Sequence, residues 1–338
     1  MEQNTFISFA DVKESLFDSE IMTLLAPSVY NPTPERLRLR AEKYAADTNT
    51  YVYACKEAGA YTGIVVFKID NSTVEIWDIA VKNEYRKKGF GSRLIDFLLS
   101  RFKAEKITAE TDDEAVGFYK KYGFNVKSVG AVGGTKRYYC KLSAVTRHYD
   151  LLIEENNDPV HDPEPLREYM DKWDGQKFID SLQLKKEKSV LEIGVGTGRL
   201  AVRVAPECLE FCGIDISPKT INRAKENLSE HSNVILVLGD FMSYDFGSKF
   251  DVIYSSLAFM HIKDKQAAIN KVKALLNIGG RFVLSIDKNQ SDTIDYGTRM
   301  VKIYPDKKEG IIGFIENCGM IVETAFETKF AHIIVAVK

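Results

Sequence analysis

Partway along these 338 residues the rhythm of the sequence changes. Before about Val145, runs rich in Val, Ile, Tyr and Trp follow one another with only turn residues between them: Tyr51–Lys56, Gly63–Lys68 and Thr73–Val81. Strands joined so tightly are antiparallel neighbours. Leu94, Ile95, Leu98 and Leu99 then recur at helical spacing, the signature of one apolar helix face. A short strand at Ile107–Glu110, a helix over Glu114–Tyr122 and strands near Phe124–Val129 and Lys136–Leu142 complete this block.

From Lys188 onward strands alternate with helices. The strands are Ser189–Ile193, Phe211–Ile216, Asn233–Leu238, Asp251–Ser256 and Arg281–Ile286, with helical windows at Pro218–Leu228 and Lys265–Leu276. Ser217 followed by Pro218 is a helix start, and Gly279-Gly280 is a stop. Such alternation implies a doubly wound parallel sheet. Two further strands, Ile321–Phe326 and His332–Val337, are joined by a turn too short for anything but an antiparallel pair. One sheet cannot obey both rhythms, and 338 residues exceed the usual single-domain length of about 100–150. The expected fold is therefore α/β in two domains. A mixed, mostly antiparallel domain occupies 1–145, and 146–338 forms a doubly wound domain. Within the latter, Asn156–Pro165 carries three prolines and marks 146–187 as linker or lid helices ahead of a core at 188–338.

Charge narrows the partners. Lys plus Arg number 46 against 48 for Asp plus Glu, a net charge of −2. No broad positive field exists of the kind that draws nucleic acid or anionic membranes, so neither is expected as a partner. The five cysteines are scattered and complete no metal-ligand spacing, so no metal is expected. No apolar run reaches the roughly 20 residues of a membrane span. The start, with Glu2 and Asp11, reads as no export signal, and the expected compartment is the cytoplasm.

The strand ending at Val81 leads into Arg86-Lys87-Lys88-Gly89-Phe90-Gly91-Ser92 and then a helix. Glycines allow a tight turn with exposed amides, and a helix N-terminus adds unpaired N–H groups and partial positive charge. Three cations beside it suit a diphosphate. About 25 residues on comes Ala115-Val116-Gly117-Phe118-Tyr119-Lys120-Lys121-Tyr122-Gly123-Phe124. Together these resemble the GNAT family of acetyltransferases over roughly Tyr51–Leu142. The resemblance implies that the turn, Arg86 to Ser92, binds the pyrophosphate of acetyl-CoA. It implies too that backbone groups of Ile79 and Val81 pair with the pantetheine arm. Tyr119 takes the place of the acid that protonates the leaving thiolate, and Glu75 that of a base for the acceptor amine. Asp112 stands where the family commonly has Asn.

Val190-Leu191-Glu192-Ile193-Gly194-Val195-Gly196-Thr197-Gly198 is a second strand-to-glycine turn. Its G-x-G-x-G spacing differs from the dinucleotide fingerprint. Asp215 ends the next strand, placed for ribose hydroxyls, and Gly239-Asp240-Phe241 ends the third with an acid and an aromatic. This set, with the terminal antiparallel hairpin, resembles the class I S-adenosylmethionine-dependent methyltransferases over about Asp171–Lys338, which implies a Rossmann-like seven-stranded sheet. By that resemblance Glu192, Gly194, Gly196 and Gly198 lie near the amino-acid part of the cofactor. Asp215, with Ile216 beside it, holds the ribose, Asp240 and Phe241 frame the adenine, and Ser255 sits beside the sulfonium. Methyl transfer from a sulfonium needs mainly alignment and exclusion of water. His261 follows the fourth strand at the carboxyl edge and can take or guide a proton. Tyr149, Trp173 and Tyr296 flank the expected substrate side.

The expectation is a two-activity transferase: acetyl transfer from acetyl-CoA to an amine, and methyl transfer from S-adenosylmethionine to a small-molecule or peptide acceptor. The alternatives are a methyltransferase whose GNAT-like half only binds, and an RNA- or ribosome-modifying enzyme.

Overall fold

Alternating side chains build the first sheet. In the computed structural model, which describes residues 7–297 and 299–338, the chain divides into two units. One is Met1–Ala144 with Gly297–Met300, the other Val145–Tyr296 with Val301–Lys338. Residues 1–6, on which part of the reading of the start rests, lie outside the described residues.

The first unit runs β1 (Ile7–Asp11), α1 (Ser19–Leu25), α2 (Pro34–Ala46), β2 (Thr50–Glu57), β3 (Ala60–Asp70), β4 (Thr73–Val81), α3 (Phe90–Arg101), β5 (Lys106–Asp112), α4 (Val116–Tyr122), β6 (Asn125–Val132) and β7 (Thr135–Ser143). The sheet order is β1-β2-β3-β4-β5-β7-β6. The elements ahead of Tyr51 have no counterpart in the sequence reading. Leu94, Ile95 and Leu98 of α3 pack with Val65, Phe67, Ile107 and Leu142 on one face of the sheet. Leu16, Ile21 and Leu25 pack with Tyr44, Val52 and Ile64 on the other. Truncating any one of these to Ala costs about 2–5 kcal/mol. The helix expected from Glu114 begins only at Val116, because Asp112 Oδ1 accepts from the Glu114 and Ala115 amides (3.1 and 3.3 Å) in a turn before it.

Among the pairings in this sheet β4–β5 is parallel, and it is short. It runs from Thr73↔Lys106 to Ile76↔Ala109 and stops, while β3 follows β4 as far as Gly63↔Val81. A bulge opposite Val66 and Phe67 inserts Trp77 as an extra residue. A bulge sharpens twist and re-aims the strand. Beyond it the β4–β5 pairing has ended, and the β5-side edge of residues 77–81, unpaired among the described residues, marks an opening in the ladder.

The second unit begins with α5 (Ala144–Glu154), α6 (Glu164–Met170) and α7 (Gly175–Ser181), in the stretch expected as linker or lid. There follow β8 (Ser189–Ile193), α8 (Ala201–Val204), β9 (Glu210–Asp215), α9 (Pro218–Asn227), β10 (Val234–Leu238), β11 (Phe250–Ser256), α10 (Lys265–Leu275) and β12 (Leu276–Asp287). A short ribbon, β13 (Thr293–Asp295) and β14 (Met300–Lys302), precedes α11 (Lys308–Asn317), β15 (Ile321–Glu327) and β16 (Ala331–Val337). The sheet order is β10-β9-β8-β11-β12-β16-β15. Its first four pairings are parallel, and β16 is antiparallel to both β12 and β15. The fold is thus the expected doubly wound one with a terminal hairpin. Such a sheet is covered on both faces: Leu191, Ile253, Phe282 and Ile334 lie in one core, Val190, Phe211, Tyr254 and Val283 in the other. The order reverses at β8, and ligands bind at the carboxyl ends beside such a switch point.

Candidate cofactor and active sites

In the first unit the chain leaves β4 and makes the turn Arg86–Gly89. Lys87 (φ +61°) and Gly89 (φ +87°) adopt the left-handed conformation there. Gly89 is the N-cap of α3, whose first turn has neither a capping side chain nor an acid. Its leading amides therefore lack intrahelical partners. No atom lies within 4 Å of where a side chain on Gly89 would begin, while at Gly91 one would come 2.9 Å from the Phe118 ring. Gly91 thus lets α4 pack against the turn, and Gly89 leaves it open. Arg86 Nε donates to the Val81 carbonyl (3.2 Å), and Lys88 Nζ lies 5.6 Å from the Tyr85 ring.

Tyr119 is buried on α4, edge-on to Phe118 and Phe124. Burial raises its phenol well above the usual range, and Cys140, Asp78 and Asp112 add to the effect. Those two acids come from β4 and β5, so the phenol is near enough to both strands to feel their charge. Ile79 and Val81 border the opening, beyond the end of the β5 pairing. Glu75 does not. It is paired with both Lys68 and Thr108 in the closed part of the sheet. The acid at the opening is Asp78, which the sequence reading passed over. It is buried and receives Arg40 through two nitrogens (Nε 3.0 Å, Nη2 2.9 Å) and the hydroxyl of Tyr44. A β-strand Asp reached from a helix 34–38 residues earlier has no local signature.

In the second unit Gly194, Gly196 and Gly198 all have positive φ (+77°, +56° and +99°). A side chain at Gly194 would begin 2.1 Å from the Ala258 Cβ, and one at Gly198 3.2 Å from Leu228. At Gly196 there is open space. The Gly196 amide donates to Asp215 Oδ2 (3.1 Å), and the Ser217 amide to Oδ1 (3.0 Å). Desolvation pushes the Asp215 carboxyl upward against these bonds. The glycine loop and the ribose candidate are therefore bound to each other. Ile216 follows, partly exposed.

Glu192 is 3% exposed and accepts from the Tyr254 hydroxyl (2.8 Å). Arg199, just past the loop, forks onto Asp174, with Nη1 3.0 Å from Oδ1 and Nη2 on Oδ2. Asp174 also takes the Ser256 hydroxyl (2.7 Å) and the Gly175 amide (2.7 Å). Despite its desolvation, Arg199 holds Asp174 below the carboxylate range. Arg199, Asp174, Tyr254 and Ser256 went unnoticed in the sequence. An Arg after a glycine loop is a readable signal, but its partner 25 residues upstream is not.

Other expected contacts are arranged differently. Ser255 is fully buried and donates to the Ile193 carbonyl (2.9 Å). Asp240 is exposed, its Oδ1 accepting from the Met242 amide (2.9 Å). Phe241 is buried in the core near Phe246, with Lys271 Nζ 5.3 Å from its ring. Tyr149 on α5 places its hydroxyl 2.8 Å from His261 Nε2, and His148 packs on Tyr296 at 4.2 Å between ring centres. His261 Nδ1 is enclosed without a hydrogen-bond partner among the described residues. Burial, with His148 and Lys265 nearby, pushes the imidazole down to about 4. It is therefore neutral at physiological pH. Trp173 instead donates to Asp287 (2.9 Å).

Helix α5 is fastened over this edge. Asp150 accepts from the Ser217 hydroxyl (2.7 Å) and the Lys219 amide (3.2 Å) at the start of α9. Asp158 meets Arg223 (3.1 Å) and Asn227 (3.2 Å) at its end. Asn227 also donates to the Thr197 carbonyl (2.9 Å), inside the glycine loop.

Comparison with known proteins agrees with the two-part reading. Residues 18–124 match the acetyltransferase (GNAT) family and residues 184–310 a methyltransferase domain. Malonyl-(acyl-carrier protein) O-methyltransferase 1 of Ilyobacter polytropus is 30% identical over 109 residues, 32% of this chain and 41% of that protein. An uncharacterized methyltransferase of Bacillus cytotoxicus is 35% identical over 112 residues, 32% of this chain and 52% of that one. The chain spans about half, or less, of these relatives' length. The structure of an S-adenosylmethionine-dependent methyltransferase from Mesorhizobium loti aligns with TM-score 0.42 and 15% identity, over 47% of this chain and 95% of that one.

Proposed function

Because the chain carries a GNAT-family acetyltransferase domain followed by a methyltransferase domain, we propose that it performs two group transfers. Acetyl-CoA donates to an amine in the first unit, and S-adenosylmethionine donates to a small-molecule or peptide acceptor in the second. One observation carries this reading: each unit ends a strand in a glycine turn with unfilled space, at Gly89 and Gly196, beside groups suited to a ligand. The residues fit both donors. Unpaired amides at the start of α3 suit a diphosphate, and the opening between β4 and β5 suits an extended arm adding to the free edge of β4. Asp215, tied to the glycine loop, suits a ribose.

When bound, the two donors supply an acetyl thioester and a methyl on a sulfonium. The chain's own residues do the rest. Tyr119 keeps its proton across the physiological range and can give it to a departing thiolate at the opening. His261 stays neutral, so it does not repel a cationic donor, and it can accept a hydrogen bond or proton from the methyl acceptor. Glu75 lies too far into the closed sheet for the base role, which favours a second reading of the first unit as a binding module. Titration of the purified chain with S-adenosylmethionine and with acetyl-CoA tests the proposal. One equivalent of each, without competition, is expected. Failure of acetyl-CoA to bind would reduce the first unit to some other recognition role, and failure of both would end the proposal.

A further inference from the structure

One contact in the second unit joins its leading helix to the far side of the site. The Tyr149 hydroxyl on α5 lies 2.8 Å from His261 Nε2, in the turn just past β11. The same phenol is near enough to Asp215, at the end of β9, to feel its charge. In the sheet β8 lies between β9 and β11, so the Tyr149 ring spans the carboxyl end of β8, where the glycine loop begins. Asp150, the next residue, fixes this placement through the Ser217 hydroxyl and the Lys219 amide at the start of α9.

The direction of the Tyr149–His261 hydrogen bond decides what the phenol can offer a ligand. A neutral imidazole has one lone pair and one N–H. A phenol O–H is a stronger donor than a neutral imidazole N–H, so Tyr149 donates to the Nε2 lone pair and the ring hydrogen sits on Nδ1. Nδ1 is enclosed and has no hydrogen-bond partner among the described residues. The ring's way to a ligand is therefore Nε2, and Tyr149 stands on it. With its one hydrogen spent, the Tyr149 oxygen presents only lone pairs. Asp215 adds negative charge beside it. The cation near His261, Lys265, is taken by Asp306 (2.8 Å) and the Phe259 carbonyl (2.7 Å).

We propose that Tyr149, oriented by His261, is the specificity-determining residue of the methyl-transfer site and selects a neutral amine over a carboxylate as acceptor. The inference rests on the cofactor reading of this unit. An amine that has shed a proton to solvent keeps an N–H for the phenol oxygen, and that bond holds the nitrogen with its lone pair free to react. On transfer the N–C bond forms, the S–C bond breaks with its electron pair left on sulfur, and a proton of the resulting ammonium passes to solvent. No base is needed. A carboxylate has no hydrogen to give and sets its charge against the phenol lone pairs and Asp215, where an uncompensated charge is costly. An alcohol can donate, but it must lose its proton to react. Burial, with His148 and Lys265, holds the His261 imidazole near 4, too weak a base to take that proton.

The test uses the full chain, labelled with nitrogen-15 in histidine and saturated with S-adenosylhomocysteine, the donor without its methyl. Ring nitrogen resonances report the tautomer, and the His261 signals are those lost in His261→Asn. Hydrogen on Nδ1 is expected at pH 7, and hydrogen on Nε2 overturns the inference. Acceptor choice is read with a tritiated methyl donor and a panel of pairs sharing one skeleton, such as phenethylamine and 3-phenylpropionate. Label is expected in the amines. Label in base-labile methyl esters, or in neither class, overturns the inference. Tyr149→Phe keeps the ring and loses the oxygen, so amine transfer should fall about tenfold, the worth of one hydrogen bond, with S-adenosylhomocysteine affinity within about twofold. In that variant the His261 hydrogen should no longer be confined to Nδ1, and an unchanged rate of transfer overturns the assignment. If the native chain does not bind S-adenosylhomocysteine, the cofactor reading falls and the inference with it. If it binds but shows the other tautomer or makes esters, the cofactor reading stands and the inference alone fails. The native chain decides between these outcomes, whether or not the variants fold.

Discussion

Two glycines of one loop separate stability from binding. At Gly194 an added methyl would run into Ala258 at 2.1 Å, in a backbone region that already costs side-chained residues about 1–2 kcal/mol. Gly194→Ala should therefore lower the thermal midpoint of the second unit by several degrees in calorimetry. Gly196→Ala meets the same backbone penalty but no neighbour. It should leave the midpoint closer to native and weaken S-adenosylhomocysteine at least tenfold, since the methyl enters the unfilled space. A second pair of residues gives opposite responses to pH. His261, ordinarily near 6.5 and held near 4 by the fold, contributes stability above pH 6.5 that is lost as pH falls towards 4. Glu192, ordinarily near 4.5 and held near 8, keeps its proton in the fold, so its burial becomes a growing burden as pH rises from 4.5 to 8. In chemical denaturation, His261→Asn should flatten the acid limb and Glu192→Gln the alkaline limb. At this scale the glycines, Asp215 and Glu192 were legible, because spacing along one loop reports them directly. The fork of Arg199 on Asp174 and the core packing of Phe241 were not. Both depend on which side of a strand end a side chain leaves, and a one-residue change reverses that.

At the scale of elements, what matters most in the first unit is where β4 and β5 part. The alternation of Thr73–Val81 announces a strand, but nothing in it announces that Trp77 is an extra residue. The opening is made by that bulge, so its position was unreadable while its flanks were plain. Glu75 lies on the paired side of that bulge and Asp78 beyond it, a difference that the sequence of the strand does not announce. Tyr119→Phe removes only a hydroxyl and keeps the ring packed between Phe118 and Phe124. It should leave acetyl-CoA affinity within about twofold while lowering turnover across a panel of primary amines at least tenfold, in line with the loss of a general acid. Equal turnover would make Tyr119 a packing residue. In the second unit α5, through Asp150, and the segment after it, through Asp158, are both tied to α9. Asp158→Ala leaves Arg223 and Asn227 without their carboxylate, at a cost of about 1–3 kcal/mol. Asn227 then holds the Thr197 carbonyl less firmly. Faster amide exchange over residues 155–163, with weaker S-adenosylhomocysteine binding, is the expected result. Unchanged exchange would show that other contacts fasten this segment.

For the whole molecule, each unit has its own sheet and its own pair of cores, so each should answer to its own ligand. A ligand at 100 times its Kd adds about 2.7 kcal/mol to whatever it binds. Acetyl-CoA should slow amide exchange in β4 and α3 and leave β8 and β9 unchanged, while S-adenosylhomocysteine should do the reverse. Protection crossing from one unit to the other would mean energetic coupling between the two sites. The two rhythms of the sequence made this division legible, although the elements before Tyr51 escaped it. Their cores are assembled from short helices whose apolar residues are too few to show a period. One topological fact bears on the making of the protein rather than its chemistry. The strand at 331–337 comes last in its sheet by sequence, yet lies inside it, bonded to β12 on one side and β15 on the other. During synthesis the first sheet can close while the ribosome is still translating, but the second must wait with an interior gap until these residues emerge. A nascent chain stalled shortly before them would carry one finished domain and one open, adhesive edge, the form that chaperones and proteases would meet first.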